Sequence, residues 1–258
     1  MNHWAMIESV TGKTPERKKS RMPAKLDWWQ SVTGAILAGF IVFHMLFTST
    51  ILMGPAAFDW VVKQSEGAFV FGEAVPAITL FVTLFISVIF VVHGFLAMRK
   101  FPASYRQLLV FWQHRKMMRH TDTSLWVVQY VTGFALFFLG GAHLVTILAT
   151  YDTISAATAA TRFTAGGMGL FYFVLLVAMV AHASVGVYRL IVKWVSFDKA
   201  TPVARKTAVA QVKKSVLSFF LGLGVVAFLA DLAYVHHGKA LAKGGAHLIA
   251  ADSKKRAE

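Results

Sequence analysis

The chain is predicted to be an all-α membrane protein, a bundle of five transmembrane helices. Composition, the grouping of apolar residues and the placement of positive charge all point there. Of its 258 residues 57% are hydrophobic and only 15% are charged, against about a quarter charged in a soluble domain. A helix that crosses the hydrocarbon core of a bilayer needs about 20 mostly apolar residues. Five runs reach that length, over residues 28–53, 76–98, 125–150, 168–191 and 216–235. Backbone polar groups in lipid must be bonded within their own segment, which makes each run a helix.

Taken in order, residues 1–24 are polar and basic and read as a surface segment, not a signal peptide. The first run, from Trp28 to Met53, leads into an outer loop from Gly54 to Val75 that is long enough to cap a site and carries Asp59, Glu66 and Glu73, of which Asp59 and Glu73 read as exposed loop acids. The second run, Pro76 to Met98, is followed by Tyr105 to His120, where aromatic and basic residues alternate as in a segment lying along a membrane surface. The third run is Leu125 to Thr150, the fourth Met168 to Ile191 and the fifth Val216 to Val235. Residues 239–258 are polar and alanine-rich and are expected to form a poorly ordered tail. No repeat of 20–50 residues divides the chain, so residues 25–238 read as one domain.

The net charge of +14 would suit a nucleic-acid partner, but its positions argue for a membrane instead. Lys13, Arg17, Lys18, Lys19, Arg21 and Lys25 precede the first run. Arg99, Lys100, Arg106, Arg115, Lys116 and Arg119 follow the second, and Lys193, Lys199, Arg205, Lys206, Lys213 and Lys214 follow the fourth. The two alternate loops hold only Lys63 and Arg162. This positive-inside asymmetry puts the N-terminus in the cytoplasm and the C-terminus outside, the basic tail being a mild exception. The chain has no cysteine, which excludes disulfides, thiolate-held iron–sulfur clusters and covalently attached c-type haem in this chain.

Ten histidines are present, and six lie in tails or basic loops, where solvated surface residues are expected: His3, His114, His120, His236, His237 and His247. The other four, His44, His93, His143 and His182, fall one per span in the first four spans. Ionisable groups inside a bilayer are costly and face a cofactor, a partner or a cavity. At 1.5 Å rise per residue, His44 lies about 24 Å and His143 about 27 Å from the cytoplasmic ends of their spans. His93 lies about 8 Å and His182 about 14 Å from theirs. The four thus sort into an outer and an inner pair, separated by roughly 15 Å, each drawn from two helices. Two imidazoles facing each other at one level suit the axial ligation of a haem. Zinc would want more ligands at one level, with carboxylate or thiolate help, and neither is expected inside the spans.

Small residues recur beside these positions: Gly140 is three before His143, Gly133 seven before Gly140, Gly186 four after His182 and Ala97 four after His93. They fit room for a porphyrin and equally fit small-residue helix packing. Lys193, Arg189, Trp126, Gln30 and Ser31 on the inner side and Arg162 on the outer side could meet haem propionates or anchor the helices at the interface. For Trp28 and Trp29 interfacial anchoring is the reading.

The segment Thr14 to Ser31 (TPERKKSRMPAKLDWWQS) closely resembles the start of the dihaem cytochrome b subunit of quinol:fumarate reductases. So do Met98 to Pro102 (MRKFP), Thr132 to Gly140 (TGFALFFLG) and Val185 to Leu190 (VGVYRL). The resemblance spans roughly residues 8–235. It implies a five-helix anchor, multi-pass in a bacterial inner membrane, for a flavoprotein subunit and an iron–sulfur subunit in a dimer of heterotrimers. It implies two haem b, the proximal one held by His93 and His182 and the distal one by His44 and His143, with FAD and iron–sulfur clusters only in the partners. Propionate contacts map onto Gln30, Ser31, Trp126, Lys193 and Arg162. A carboxylate that accepts a proton from menaquinol maps onto Glu66, which is chemically apt because quinol oxidation releases two protons with its two electrons. The implied activity is menaquinol:fumarate reduction, or its succinate:quinone reverse, with the dicarboxylate chemistry in a partner. One position departs: some members carry a glutamate two residues before the second inner ligand, where this chain has Val180. Arg99, Lys100 and Arg106 are candidate docking residues. The anchor of a hydrogenase or formate dehydrogenase, and a haem-free scaffold or transporter, remain as alternatives.

Overall fold

A computed structural model describes residues 20–102, 104–118, 121–198 and 201–255, without the side chains of 114, 118 and 244–255. Most of the N-terminal segment, including His3 and the first residues of the Thr14–Ser31 block, therefore lies outside the described residues, as does His120.

Nine α-helices are described: α1 (Met22–Thr48), α2 (Pro55–Ser65), α3 (Ala68–Phe71), α4 (Pro76–Met98), α5 (Tyr105–Met118), α6 (Thr121–Ala149), α7 (Ala156–Thr164), α8 (Met168–Trp194) and α9 (Pro202–Lys255). A 3-10 turn over Ser49–Met53 prolongs α1. Among the described residues α1, α4, α6, α8 and α9 are long and apolar enough to cross a membrane. Proline in the first turn starts α1, α2 and α4, where its missing N–H has no intrahelical partner to lose. Several hydroxyls within the spans bond back to carbonyls one turn earlier, as Thr83 Oγ1 does to Thr79 O (2.8 Å) and Ser87 Oγ to Thr83 O (2.7 Å), which satisfies those donors within the helix.

The spans close a ring. α1 packs on α4, α4 on α6, α6 on α8, and α8 back on α1, while α9 lies outside against α8 and α1. These four ring helices are the ones that carry His44, His93, His143 and His182. Leu223 and Ala227 of α9 pack with Met45 of α1 and Leu176, Met179 and Val180 of α8, which fixes the fifth helix against the ring. At the end where α1 finishes, Phe58 and Val62 of α2, Ala156 and Ala160 of α7, and Ala230 and Tyr234 of α9 form an apolar cap. The Tyr234 hydroxyl donates to the Thr48 carbonyl (2.9 Å), satisfying one of the carbonyls left open at the C-terminus of α1. The opposite end, which carries most of the loop lysines and arginines, is called the basic end below; the capped one is the far end.

Three segments differ from expectation. Residues 54–75 fold into α2 and α3 rather than an open loop. Gly67 and Gly72 bracket α3 at φ 85° and 79°, backbone angles that a side chain disfavours. Asp59, expected as a solvated loop residue, accepts the Ala156 amide of α7 at 2.6 Å beside a capping box between Ser155 and Thr158. The helix expected to end near Val235 runs to Lys255 without a break, since Ala, Leu and Lys in this stretch are good helix formers.

Candidate functional site: two histidine pairs inside the ring

Two of the four intramembrane histidines stand ring to ring. His44 of α1 and His143 of α6 have ring centroids 6.0 Å apart, with ring planes inclined at 59°. Two imidazoles that each offer one nitrogen to the same metal, at about 2 Å, place their centroids about 6 Å apart, so this spacing fits one metal between them. Phe40 stacks on His44 at 5.5 Å, and Tyr172 meets His143 edge-on at 5.8 Å. His93 of α4 and His182 of α8 lie within electrostatic reach of one another in the other half of the ring.

Hydrogen bonds set the nitrogens of the second pair. His182 Nδ1 donates to the Gln129 carbonyl (2.9 Å), which leaves Nε2 with its lone pair. His93 Nδ1 lies 3.1 Å from Thr33 Oγ1. That hydroxyl spends its own hydrogen on the carbonyls of Trp29 (2.9 Å) or Gln30 (3.1 Å), so it accepts from His93 Nδ1–H and again leaves Nε2 free. This is the support that ligand histidines ordinarily have. His143 Nδ1 is buried and makes no hydrogen bond.

Glycine makes the close approach possible. A Cβ on Gly34 would stand 3.0 Å from His93 Cε1, and one on Gly133 2.8 Å from His182 Cε1. Gly34 and Gly133 each precede the far-end histidine of their own helix by ten residues, about 15 Å of rise, which is the spacing of the two levels. The glycines thus make room for the partner imidazoles themselves. Gly140 and Gly186, grouped with them in the sequence, face Phe90 and the Gln129 amide instead. Gly133→Ala is expected to cost about 1–3 kcal/mol through the forced displacement of His182. Gly222→Ala, with nothing within 4 Å of the added carbon, should be neutral or slightly stabilising; thermal denaturation in detergent compares the two.

The polar residues expected around a cofactor are only partly together. At the basic end Lys193 Nζ donates to Ser31 Oγ (3.0 Å) and is ion-paired to Asp27, which also pairs with Lys100. Asp27 was not singled out by the sequence, although it stands inside the matched block. The Gln30 side-chain oxygen is buried without a partner, and turning that amide presents an N–H donor at the same point. Trp126 falls on the Gln129–Gly133 face of α6 and stacks on Tyr130 at 5.6 Å, with Phe111 of α5 at 4.8 Å. A buried acceptor-or-donor amide and a lysine–serine pair at the basic end fit the carboxylate edge of a haem. At the far end Arg162 donates to Thr150 Oγ1 (3.1 Å) and lies within electrostatic reach of His143 and Tyr172. Of the docking candidates, Lys100 is engaged by Asp27 and Arg99 has a buried Nε, while Arg106 stands exposed.

Glu66 ends α2 and is 6% exposed. Its carboxylate accepts from Thr79 Oγ1 in the first turn of α4 (3.0 Å), and its carbonyl accepts from the Val75 amide (2.9 Å). Thr79 is fourteen residues, about 21 Å, from His93, which sets Glu66 about one helical turn beyond the His44–His143 level. Glu73 is exposed, as expected. Val180 packs on Gly224, where an added Cβ would come within 2.8 Å of Val180 Cγ2. Sequence reading missed Asp231, a half-buried carboxylate in the fifth span, although an acid in an apolar run is itself a signal.

Residues 104–222 match the family model described as the succinate dehydrogenase/fumarate reductase transmembrane subunit. The chain is 46% identical over 228 residues to the fumarate reductase cytochrome b subunit of Wolinella succinogenes, covering 88% of this chain and 89% of that one. It is 40% and 39% identical to the proteins of the same name from two strains of Helicobacter pylori, covering 88% of each chain. Four part-buried histidines on the ring of membrane helices, and likeness of this extent, place the chain in the succinate dehydrogenase/fumarate reductase transmembrane subunit family, among the fumarate reductase cytochrome b subunits.

Proposed function

We propose that the chain is the quinol-oxidising membrane subunit of a menaquinol:fumarate reductase and holds two b haems, one between His44 and His143 and one between His93 and His182. The 6.0 Å approach of His44 and His143 from separate helices carries the reading, because two imidazoles brought together at one depth of an apolar span are costly unless they share a cofactor. When bound, the haems supply one-electron transfer between the two faces of the membrane. The rest is done by side chains. Gln129 and Thr33 hold the inner imidazoles with Nε2 turned outward for coordination. Gln30, Ser31, Lys193 and Trp126 at the basic end, and Arg162 at the far end, meet the propionates. Glu66, held by Thr79, takes a proton from menaquinol at the far end.

The positive-inside pattern supports a cytoplasmic basic end and a periplasmic far end and C-terminus in a bacterial inner membrane. Electrons then leave at the basic end to an iron–sulfur subunit, and fumarate is reduced at a flavin in a third subunit. The names of the relatives support fumarate reductase over a hydrogenase or formate dehydrogenase anchor. Purification with its partners tests the reading: two b haems per chain and menaquinol-driven fumarate reduction are expected, and a haem-free chain would refute it.

A further inference from the structure

Asp231 is a carboxylate in the fifth span that the proposed quinol chemistry does not use. It lies on the seam of α9 with α8. Along that seam Gly224 faces Val180, Phe228 meets Phe173 at 5.7 Å, and Val235 approaches Gly169. Asp231 is seven residues beyond Gly224, about 10 Å toward the far end, and so stands level with Tyr172. The Tyr172 phenol is within its electrostatic reach, and the ring of Tyr172 touches His143. Asp231 therefore stands at the level of a ring that meets the outer histidine pair.

The surroundings of Asp231 hold no counter-charge directed at it. From α8 it faces Tyr172, and from its own helix Tyr234. Arg162 of α7 is bonded to Thr150 and acts on the Tyr172 phenol. Asp59 of α2 is occupied with the Ala156 amide and acts on Tyr234. His236 and His237 lie just over one turn farther along α9, toward the far-side water. Among the described residues no lysine or arginine is ion-paired with Asp231. A carboxylate in this position responds to charge that appears nearby, because Coulomb interactions are only weakly screened where water is scarce.

We propose that Asp231 is the proton acceptor coupled to the outer histidine pair, taking up one proton from the far-side water when one electron arrives between His44 and His143. The carboxylate becomes a carboxylic acid, one O–H bond forms, and the proton returns to the water when the electron moves on to the inner pair. Charge at the outer level is thereby balanced at each transfer. The inference rests on the haem reading of His44 and His143.

The test is a redox titration of the haem absorbance of the intact complex at several pH values, on the unaltered chain, Asp231→Asn and Asp231→Glu. In the unaltered chain the outer haem's potential should fall as pH rises, by up to about 59 mV per pH unit, the value of a tenfold change for one electron. Asp231→Asn should flatten that dependence and leave the inner haem's titration unchanged, while Asp231→Glu retains it. Reduced-minus-oxidised infrared spectra of the unaltered complex with carboxyl-labelled aspartate supply a readout that needs no variant. A carboxylic-acid band that appears on reduction and shifts with the label is expected. An unchanged slope in Asp231→Asn, or no label-sensitive band, would overturn the role of Asp231 while two bound haems leave the wider reading standing. Absence of the outer haem would overturn both.

Discussion

His143→Ala removes one of two b haems per chain and leaves the other with its spectrum intact, and His44→Ala removes the same one. His93→Ala and His182→Ala remove the second and spare the first. The expectation follows from the ring: the members of each pair sit on different helices, and among the described residues each of the four ring helices carries a single histidine. A haem bound by one axial imidazole and the contacts of an apolar slot loses its second iron–ligand bond. All four variants should lose menaquinol-driven fumarate reduction, while fumarate reduction by an artificial donor that reaches the partner subunits directly persists. Haem quantitation with reduced-minus-oxidised spectra reads the result, and added imidazole should partly restore the lost absorbance where alanine leaves the space. A variant that loses both haems while its fold persists, or pairs that sort as His44 with His93, would overturn the two-level arrangement.

Most of this was legible in the sequence because a bilayer narrows the choices. Apolar runs of sufficient length had to be helices, and counting rise from the span ends sorted four histidines into two levels before any contact was known. In the structure His44 and His143 have ring centroids 6.0 Å apart, while His93 lies against Thr33 and His182 against the Gln129 carbonyl. What sequence could not supply is what each side chain meets on a neighbouring helix. Gly133 was visible, but that it accommodates His182 and not open space depends on how α6 and α8 cross. Gly34 and Thr33 support His93 from sixty residues away, which periodicity does not reveal. Asp59 was read as a solvated loop acid because its partner, the Ala156 amide, lies 97 positions distant. The helical cap over residues 54–75 was missed for a similar reason, since Phe58 and Val62 are apolar enough to fold only once α7 and α9 offer a surface. Asp231 is a different case: it was in plain view, and its significance depended on Tyr172, within its electrostatic reach, meeting His143.

Glu66→Gln should abolish quinol oxidation while leaving both haems and the partners' fumarate chemistry untouched. The amide is nearly isosteric and can keep a hydrogen bond with Thr79, but it has no basic oxygen to receive a quinol proton. Loss of a positioned general base costs about 100- to 10,000-fold, and the loss should fall on kcat, since binding of the quinol ring does not require the charge. Thr79→Val should produce a smaller loss: the carboxylate remains but is no longer held by the first turn of α4, so it can turn away from the substrate. The reason for expecting so large an effect is the burial of Glu66. At 6% exposure there is no bulk water beside it to take the proton in its place, and Glu73, the other carboxylate of this segment beyond Glu66, is exposed. Steady-state rates with a menaquinol analogue, set beside the rate with an artificial donor, separate the two steps. Undiminished quinol oxidation by Glu66→Gln would mean that the proton leaves by another group, and would move the quinol site away from the far-end cap.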